Sequence, residues 1–371
     1  EVLRLAHEKA AFIGTINRQF DSSFGNASGK IGDTLRIREP ARYTRRQNSR
    51  VMNVQDSVET STSLVVATQD SAVASMISGI EADVLQGCTK AVYNVAGTAG
   101  TALADLAAVG TARARLNQGL APKDGNRCVQ LDSVAMGGMV NGLKGLFQDA
   151  TQIKEQYREG MIGRTGMADF YENERNYVHT NGSDVTCTVA GAAAVTDGGT
   201  NITFASLAST TTAGTVFSIP GVYQCHPETK AAMANLQQFT IVTGSTTTQE
   251  VSPPFFLTGG RQNVVNAAGA QLAITYFNDT GLVPVFVGAA STTYAQGLMY
   301  HKDAFTFATA ELPKLGGAHS CVTKTFDGLS VRVWQDGDIR NDELLTRIDM
   351  LYGFKAIRPA WACRLIGSAS A

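Results

Sequence analysis

The sequence predicts an α+β protein of more than one domain, with an all-β segment set into a mixed host, and three observations carry this. At 371 residues the chain is longer than a single hydrophobic core usefully supports. From Gly182 to Gly297 only seven residues are charged (Asp184, Asp197, Glu228, Lys230, Glu250, Arg261, Asp279) and 20 are threonine, although the chain-wide 17% charge would give about 20 charged residues there. On either side of that stretch charge returns, with helical periodicity before it and strand-like alternation on both sides.

The elements follow in order. After an apolar start (Ala11, Phe12, Ile13, Ile16, Phe20), the segment Gly29 to Ala67 reads as strands. Leu35 and Ile37 alternate with Arg36 and Arg38 until Pro40 stops the run, and Ser63 to Ala67 is a second β-branched run after an Arg-rich interval. Together they predict a long two-stranded loop, which is marginal in water unless it lies on a neighbour. From Ala72, Met76, Ile80, Val84, Leu85 and Val92 build one helical stripe, ended by Gly97 and Gly100. Further helices are predicted over Ala102 to Leu116, Val134 to Phe147 and Thr151 to Tyr157, separated by turns such as Pro122-Lys123-Asp124-Gly125. In the low-charge stretch, Thr215 to Ile219 and Phe239 to Thr243 read as strands of an all-β unit. Beyond it come a strand over Gly328 to Trp334 and a long alternation from Leu344 to Ile366.

Charge and composition exclude several classes. The 31 basic and 32 acidic residues nearly cancel, which disfavours a dedicated nucleic-acid binder. The distribution is uneven, since Glu1 to Arg50 holds ten Lys/Arg against five acids, locally +5 against −6 elsewhere. Such asymmetry marks a segment reaching an oppositely charged surface, here that of another copy. No apolar run approaches the roughly 20 residues of a membrane helix and no signal-peptide pattern opens the chain, so the expectation is a protein that stays in the cytoplasm where it is made. Cys88, Cys128, Cys187, Cys225, Cys321 and Cys363 form no C-x-x-C pair and read mostly as small buried apolar residues.

No motif carries catalysis. Gly25-Asn26-Ala27-Ser28-Gly29-Lys30 is one residue short of a phosphate loop and has Ile31 where a metal-binding hydroxyl belongs. Gly97-Thr98-Ala99-Gly100-Thr101 follows a helix and reads as a connector. His7, His179, His226, His301 and His319 form no H-x-x-H pair, there is no G-x-S-x-G elbow, and Asp336-Gly337-Asp338 reads as a turn with solvated acids and not as a calcium loop. Catalytic, cofactor-binding and metal residues are therefore none. The candidate contact residues are Arg42, Arg45, Arg46 and Arg50, whose one aromatic companion, Tyr43, is thin for nucleic-acid stacking and leaves intersubunit ion pairing as the reading.

Five stretches, in this order, resemble the major capsid proteins of tailed bacteriophages with the Hong Kong 97 fold, of the short-tailed-phage type with an inserted β domain. They are Phe12 to Phe20 leading to Gly32–Arg38, Val54 to Thr60, Gly160 to Tyr171 (GMIGRTGMADFY), Gly221 to Phe239, and Arg347 to Leu365 (RIDMLYGFKAIRPAWACRL). The resemblance implies an N-terminal arm (1–29), an extended loop (30–68), a peripheral domain with a spine helix (69–118) and the first part of an axial domain (119–181). It further implies an inserted β domain (182–293), the axial return (294–322) and peripheral and axial C-terminal strands (323–371). In similar coat proteins the stretch from the loop to the end of the spine is longer than Gln69 to Ile80, so here the spine is short or residues are absent between the two.

The implied function is a shell protein that assembles as hexamers and pentamers into an icosahedral capsid around double-stranded DNA, in the host cytoplasm. Its implied partners are other copies, a scaffolding protein, a portal, and DNA touched weakly and without sequence preference, with no membrane. A near-neutral chain suits a DNA container, because a strongly basic inner wall would hold the duplex through counterion release. Two alternatives are an encapsulin-like compartment, against which the size of the insertion speaks, and a hydrolase with an accessory β domain, for which no local signature exists. Some shells of this fold join a loop lysine to a neighbour's asparagine, yet Ile31 to Thr68 contains no lysine. Denaturing electrophoresis of particles should therefore give one band near 39.3 kDa, and a ladder that survives reductant would refute this.

Overall fold

The computed structural model describes residues 15–21, 34–38, 53–57, 60–65, 69–142, 164–165, 167–183, 185–191, 194–205, 207, 209–278, 281–313, 320–326, 329–338 and 343–369. The chain divides into two compact units, one of residues 1–88 and 305–357, the other of 89–304 and 358–371.

In the first unit, Phe305–Ala310 and Leu329–Asp338 both pair antiparallel with the long strand Glu343–Ala356. Asn17–Asp21 joins parallel to Phe305–Ala310, and Ser320–Phe326 forms the far edge beside Leu329–Asp338. The helix α1 (Gln69–Ala91) supplies the apolar cover of this unit, because Met76, Ile77, Ile80, Val84, Leu85 and Cys88 recur at helical spacing and are buried. Gly87 leaves room for the Phe354 ring, and Tyr352 Oη donates to Asp83 Oδ2 at 2.9 Å, so this face of the helix lies on the even-numbered residues of Glu343–Ala356.

Two sequence expectations change here. Thr34–Arg38 pairs with Asn53–Ser57 and not with the run near Ser63, because Thr60–Val65 is taken up as a partner of Arg347–Tyr352. Asp336 to Asp338 is strand and not turn, paired with Leu345 to Glu343, since the alternation of Leu329–Asp338 continues through it.

The second unit holds two sheets. One is mixed, in the order Val95–Ala96, Ala362–Ala369, Thr293–His301, Arg127–Leu131, Ala168–Glu172, Arg164–Thr165, with Val178–Thr180 also on Thr293–His301. The helices α2 (Ala107–Gln118) and α3 (Ser133–Gly142) share its core, which gathers Val109, Ala112, Leu116, Val129, Leu131, Met136, Met139, Met299 and Leu365. The other sheet is built wholly from Thr188 to Phe286 and is antiparallel throughout. The two runs read as strands from their threonines and β-branched residues pair with each other, Phe217 directly opposite Phe239. Phe204, Phe217, Phe239, Phe255 and Phe277 interlock in a core of this segment's own, with Phe239 and Phe255 stacked at 4.4 Å. Each such ring contributes about 1.5–3 kcal/mol by leaving water.

Helix ends also differ from the periodicity. α1 stops at Ala91, six residues before Gly97, for a tertiary reason given below. α2 starts at Ala107 and not at Ala102, because Asp105 Oδ1 accepts the Ala107 N–H and opens the helix there. α3 starts near Val134 as its pattern predicts, while its expected continuation to Phe147 and the helix over Thr151 to Tyr157 lie outside the described residues. The alternation from Leu344 to Ile366 is two strands, separated by the short turn Pro359–Trp361, where proline fixes φ and offers no N–H to a ladder.

α3 shows why its glycines are placed as they are. Gly138 and Gly142, one turn apart on one face, press against the backbone of residues 103–105, where a Cβ would strike the carbonyl oxygens of Leu103 and Ala104. Gly137, exposed, has open space at its Cβ position. Gly142→Ala should destabilise the subunit by about 1–3 kcal/mol despite alanine's better helix propensity. Gly137→Ala should stabilise it by about 0.5–1 kcal/mol. Urea unfolding of both variants checks the opposite signs.

Candidate functional site

The densest polar construction in the second unit surrounds Arg364, in the strand Ala362–Ala369. Its neighbours Cys363, Leu365 and Ile366 are apolar and buried, and Arg364 itself is 0% exposed. A buried guanidinium is tolerated only when its five N–H groups find acceptors. All five do. Nε donates to Val92 O at 2.7 Å, Nη2 to Lys90 O at 2.8 Å and Thr240 Oγ1 at 3.0 Å, and Nη1 to Gly214 O at 2.6 Å and Gln296 Oε1 at 3.4 Å. Burial lowers its pKa to about 9, which leaves it charged at neutral pH.

These bonds explain the early end of α1. The carbonyls of Lys90 and Val92 lack helical partners, and the cationic side chain satisfies them while Thr240 Oγ1 also donates to Lys90 O at 3.0 Å. Glycine is needed at 214, where φ is +96° and a Cβ would press on Lys90 Cγ. The same joint thus holds a bend and a strand of the Thr188–Phe286 sheet against the mixed sheet. Around it, Val95 N donates to Gln238 Oε1 at 2.8 Å, and Asn181 Nδ2 donates to Val287 O and Ala289 O. α2 adds Arg115 Nη1 to Gln224 Oε1 at 3.4 Å, and Gln118 Oε1 accepts from Asn235 Nδ2 at 3.2 Å.

His179 completes the joint. Its Nδ1 lies 2.9 Å from Tyr177 Oη and its Nε2 lies 3.1 Å from Thr215 Oγ1. Burial first, then the Arg364 and Lys90 charges, hold its pKa down at about 4. A small cavity beside it is lined by Val95, Asn181, Val216, Tyr294, Gln296 and Ile366.

The other described histidines and the cysteines are also spoken for by structure. His301, buried edge-on to Trp361, shares a hydrogen bond with Asp124 Oδ1 at 3.0 Å and accepts the Asp303 N–H at Nδ1. Hydrogen bonds from Asn126, then from His301, hold the Asp124 carboxyl well below the usual range. His226 Nδ1 accepts the N–H groups of Glu228 and Thr229 in a tight turn. Five cysteines are buried, and burial pushes the Cys363 thiol up to about 12 and the Cys128 thiol to about 11, far from a nucleophile's range. Among the described residues no group of His, Cys, Asp and Glu is arranged to hold a metal, and no helix is long and apolar enough to cross a membrane. Arg42, Arg45, Arg46 and Arg50 lie outside the described residues. Arg364 falls within the last of the five resemblance stretches without being among the expected contact residues, and the sequence signal for it is one charge inside the apolar run Ala362-Cys363-Arg364-Leu365-Ile366.

Truncating Arg364 takes the guanidinium donor from the Val92 and Gly214 carbonyls, Gln296 Oε1 and Thr240 Oγ1, and leaves Lys90 O with only the Thr240 hydroxyl. Arg364→Leu should cost about 3–5 kcal/mol in subunit stability, and Arg364→Lys should recover only part of that because an ammonium cannot span acceptors arranged for a fork. Denaturant midpoints of the two variants check the order.

The family model described as P22 coat protein, gene protein 5, matches residues 88–367, about three quarters of the chain. Comparison with curated proteins gives no match. Among solved structures, one of Mycobacterium phage Che8 aligns at 10% identity over 97% of this chain and 92% of that one, with a TM-score of 0.46. The capsid of cyanophage P-SCSP1u aligns at 11% identity over 96% and 87%, with a TM-score of 0.40. The mature capsid of bacteriophage PhiM1 aligns at 11% identity over 94% and 85%, with a TM-score of 0.41. With the family match covering the joint and both sheets of the second unit, the chain belongs to the P22 coat protein family and is a structural capsid protein of a bacteriophage, not an enzyme.

Proposed function

We propose that this coat protein assembles as hexamers and pentamers into an icosahedral shell that encloses double-stranded DNA, in the Hong Kong 97 arrangement of arm, extended loop, peripheral domain and axial domain. The observation that carries the reading is the family match across about three quarters of the chain. In this reading residues 30–68 are the extended loop, and the antiparallel pairing of Thr34–Arg38 with Asn53–Ser57 supports it by supplying two arms of such a loop. Residues 182–293 are the inserted β domain, supported by their own sheet and core. That domain projects from the outer side of the shell and steadies its own subunit. A scaffolding protein and a portal complete the partners, DNA is touched weakly and without sequence preference, and assembly takes place in the host cytoplasm.

The loop lies over an adjacent copy and offers Arg42, Arg45, Arg46 and Arg50 to acidic residues there. Exposed ion pairs contribute only about 0–1 kcal/mol each, but every interface of a shell repeats them. Electron microscopy and sedimentation of the recombinant protein, with and without its scaffolding partner, should show closed shells, and a purely monomeric protein under both conditions would overturn the reading. Changing Arg45 and Arg46 together to Glu should leave a folded subunit that closes few shells at low salt. A normal shell yield from that variant removes the loop's arginines from the interface.

A further inference from the structure

His179 is surrounded by charge of one sign. It sits in the strand Val178–Thr180, 2% exposed, and the charged side chains acting on it are both cations: Arg364 from the strand Ala362–Ala369, and Lys90 from the last turn of α1. Lys90 Nζ lies over the Tyr177 ring at 5.3 Å. The other titratable neighbours are Tyr177, hydrogen-bonded to it, and Tyr294, which lines the same small cavity. No residue lining that cavity is acidic.

A neutral imidazole fits this place, because one ring nitrogen accepts and the other donates, joining Tyr177 Oη to Thr215 Oγ1. Thr215 in turn stands in the bend that Arg364 grips through Gly214 O, and this bend is pinned to the next strand by Gly214 N to Ile241 O at 2.7 Å and Ile241 N to Thr215 O at 2.9 Å. A protonated imidazole donates from both nitrogens, which the two hydroxyls can accept and the Asn181 side chain favours, so the penalty lies in burial and in a third positive charge that no carboxylate answers.

We propose that His179 is an acid-released latch: neutral, it locks the Gly214–Thr215 bend of the β segment to the mixed sheet, and protonated, it lets that bend open. The direction follows from linkage. In the open form the ring titrates near its ordinary 6.5, and in the closed form near 4. Between those values the open form binds more protons, so the closed form weakens as pH falls from about 6.5 and the loss levels off below about 4. A gap of that size shifts the opening equilibrium by about 100-fold between pH 7 and 4, and by about 300-fold in full. The joint is therefore tight at neutral pH and gives way in acid before the rest of the subunit.

Hydrogen exchange on the full chain between pH 7 and 4, corrected for the intrinsic rate at each pH, tests this. The amides of Gly214, Thr215 and Ile241 should lose protection by about 100-fold, while those of Met299 and Tyr300 in the mixed sheet hold theirs. His179→Gln, which cannot titrate, should abolish the step. Lys90→Met, which removes one of the two opposing cations, should move its midpoint toward neutral pH. A wild-type profile without the step, a step that persists in His179→Gln, an unmoved midpoint in Lys90→Met, or a loss of protection shared equally by Met299 and Tyr300 would each overturn the latch.

Discussion

A guanidinium carried into a dry interior must be met by acceptors at every N–H, or the strand that bears it does not stay buried. Arg364 imposes that condition on the second unit. It is met by three main-chain carbonyls, a threonine hydroxyl and a glutamine amide drawn from four separated stretches of chain. Each stretch is thereby told where to be. α1 must stop so that the carbonyls of Lys90 and Val92 turn inward, residue 214 must be glycine so that its backbone can approach, and Thr240 must face the helix end. The polar ring around Arg364 is bordered by a small apolar cluster of Val95, Val216, Tyr294 and Ile366, which keeps water away and makes each of these bonds worth more.

Two kinds of force divide the work in the β segment. Its cohesion comes from an apolar core of its own, dominated by interlocking phenylalanine rings that are indifferent to small changes of orientation. Its placement on the mixed sheet comes from hydrogen bonds of fixed direction, those of Arg364, His179, Asn181 and Gln238. Greasy contacts hold a module together, whereas directional ones set its angle. A subunit that must repeat one geometry many times in a shell has reason to use the second kind at this joint.

The same logic accounts for residues that elsewhere signal catalysis. His179, His226 and His301 each hold backbone or side-chain polar groups at a turn or joint, and five of the six cysteines act as small buried apolar residues. Low charge across residues 182–297 is consistent with this economy, since the groups there that reach α1, α2 and the mixed sheet include amides and a threonine, Gln224, Asn235, Gln238 and Thr240.

Periodicity and composition were enough to determine the α+β class, the buried face of α1, the strands around Phe217 and Phe239, and the β character of the low-charge segment, because these follow from local alternation and from where apolar residues recur. The order of five short stretches was enough to reach the coat-protein family, which the match over residues 88–367 bears out. What no window of sequence contained was the choice of partners. Whether Asn53–Ser57 or the run near Ser63 pairs with Thr34–Arg38 depends on a competing strand about 290 residues away. The end of α1 depends on an arginine some 270 residues further on, and the low pKa of His179 depends on that arginine and on Lys90 together. Local spacing specifies which face a residue presents; only the folded chain specifies which unpaired carbonyl or charge that face will meet, because desolvation acts on groups brought together in space regardless of their distance along the chain.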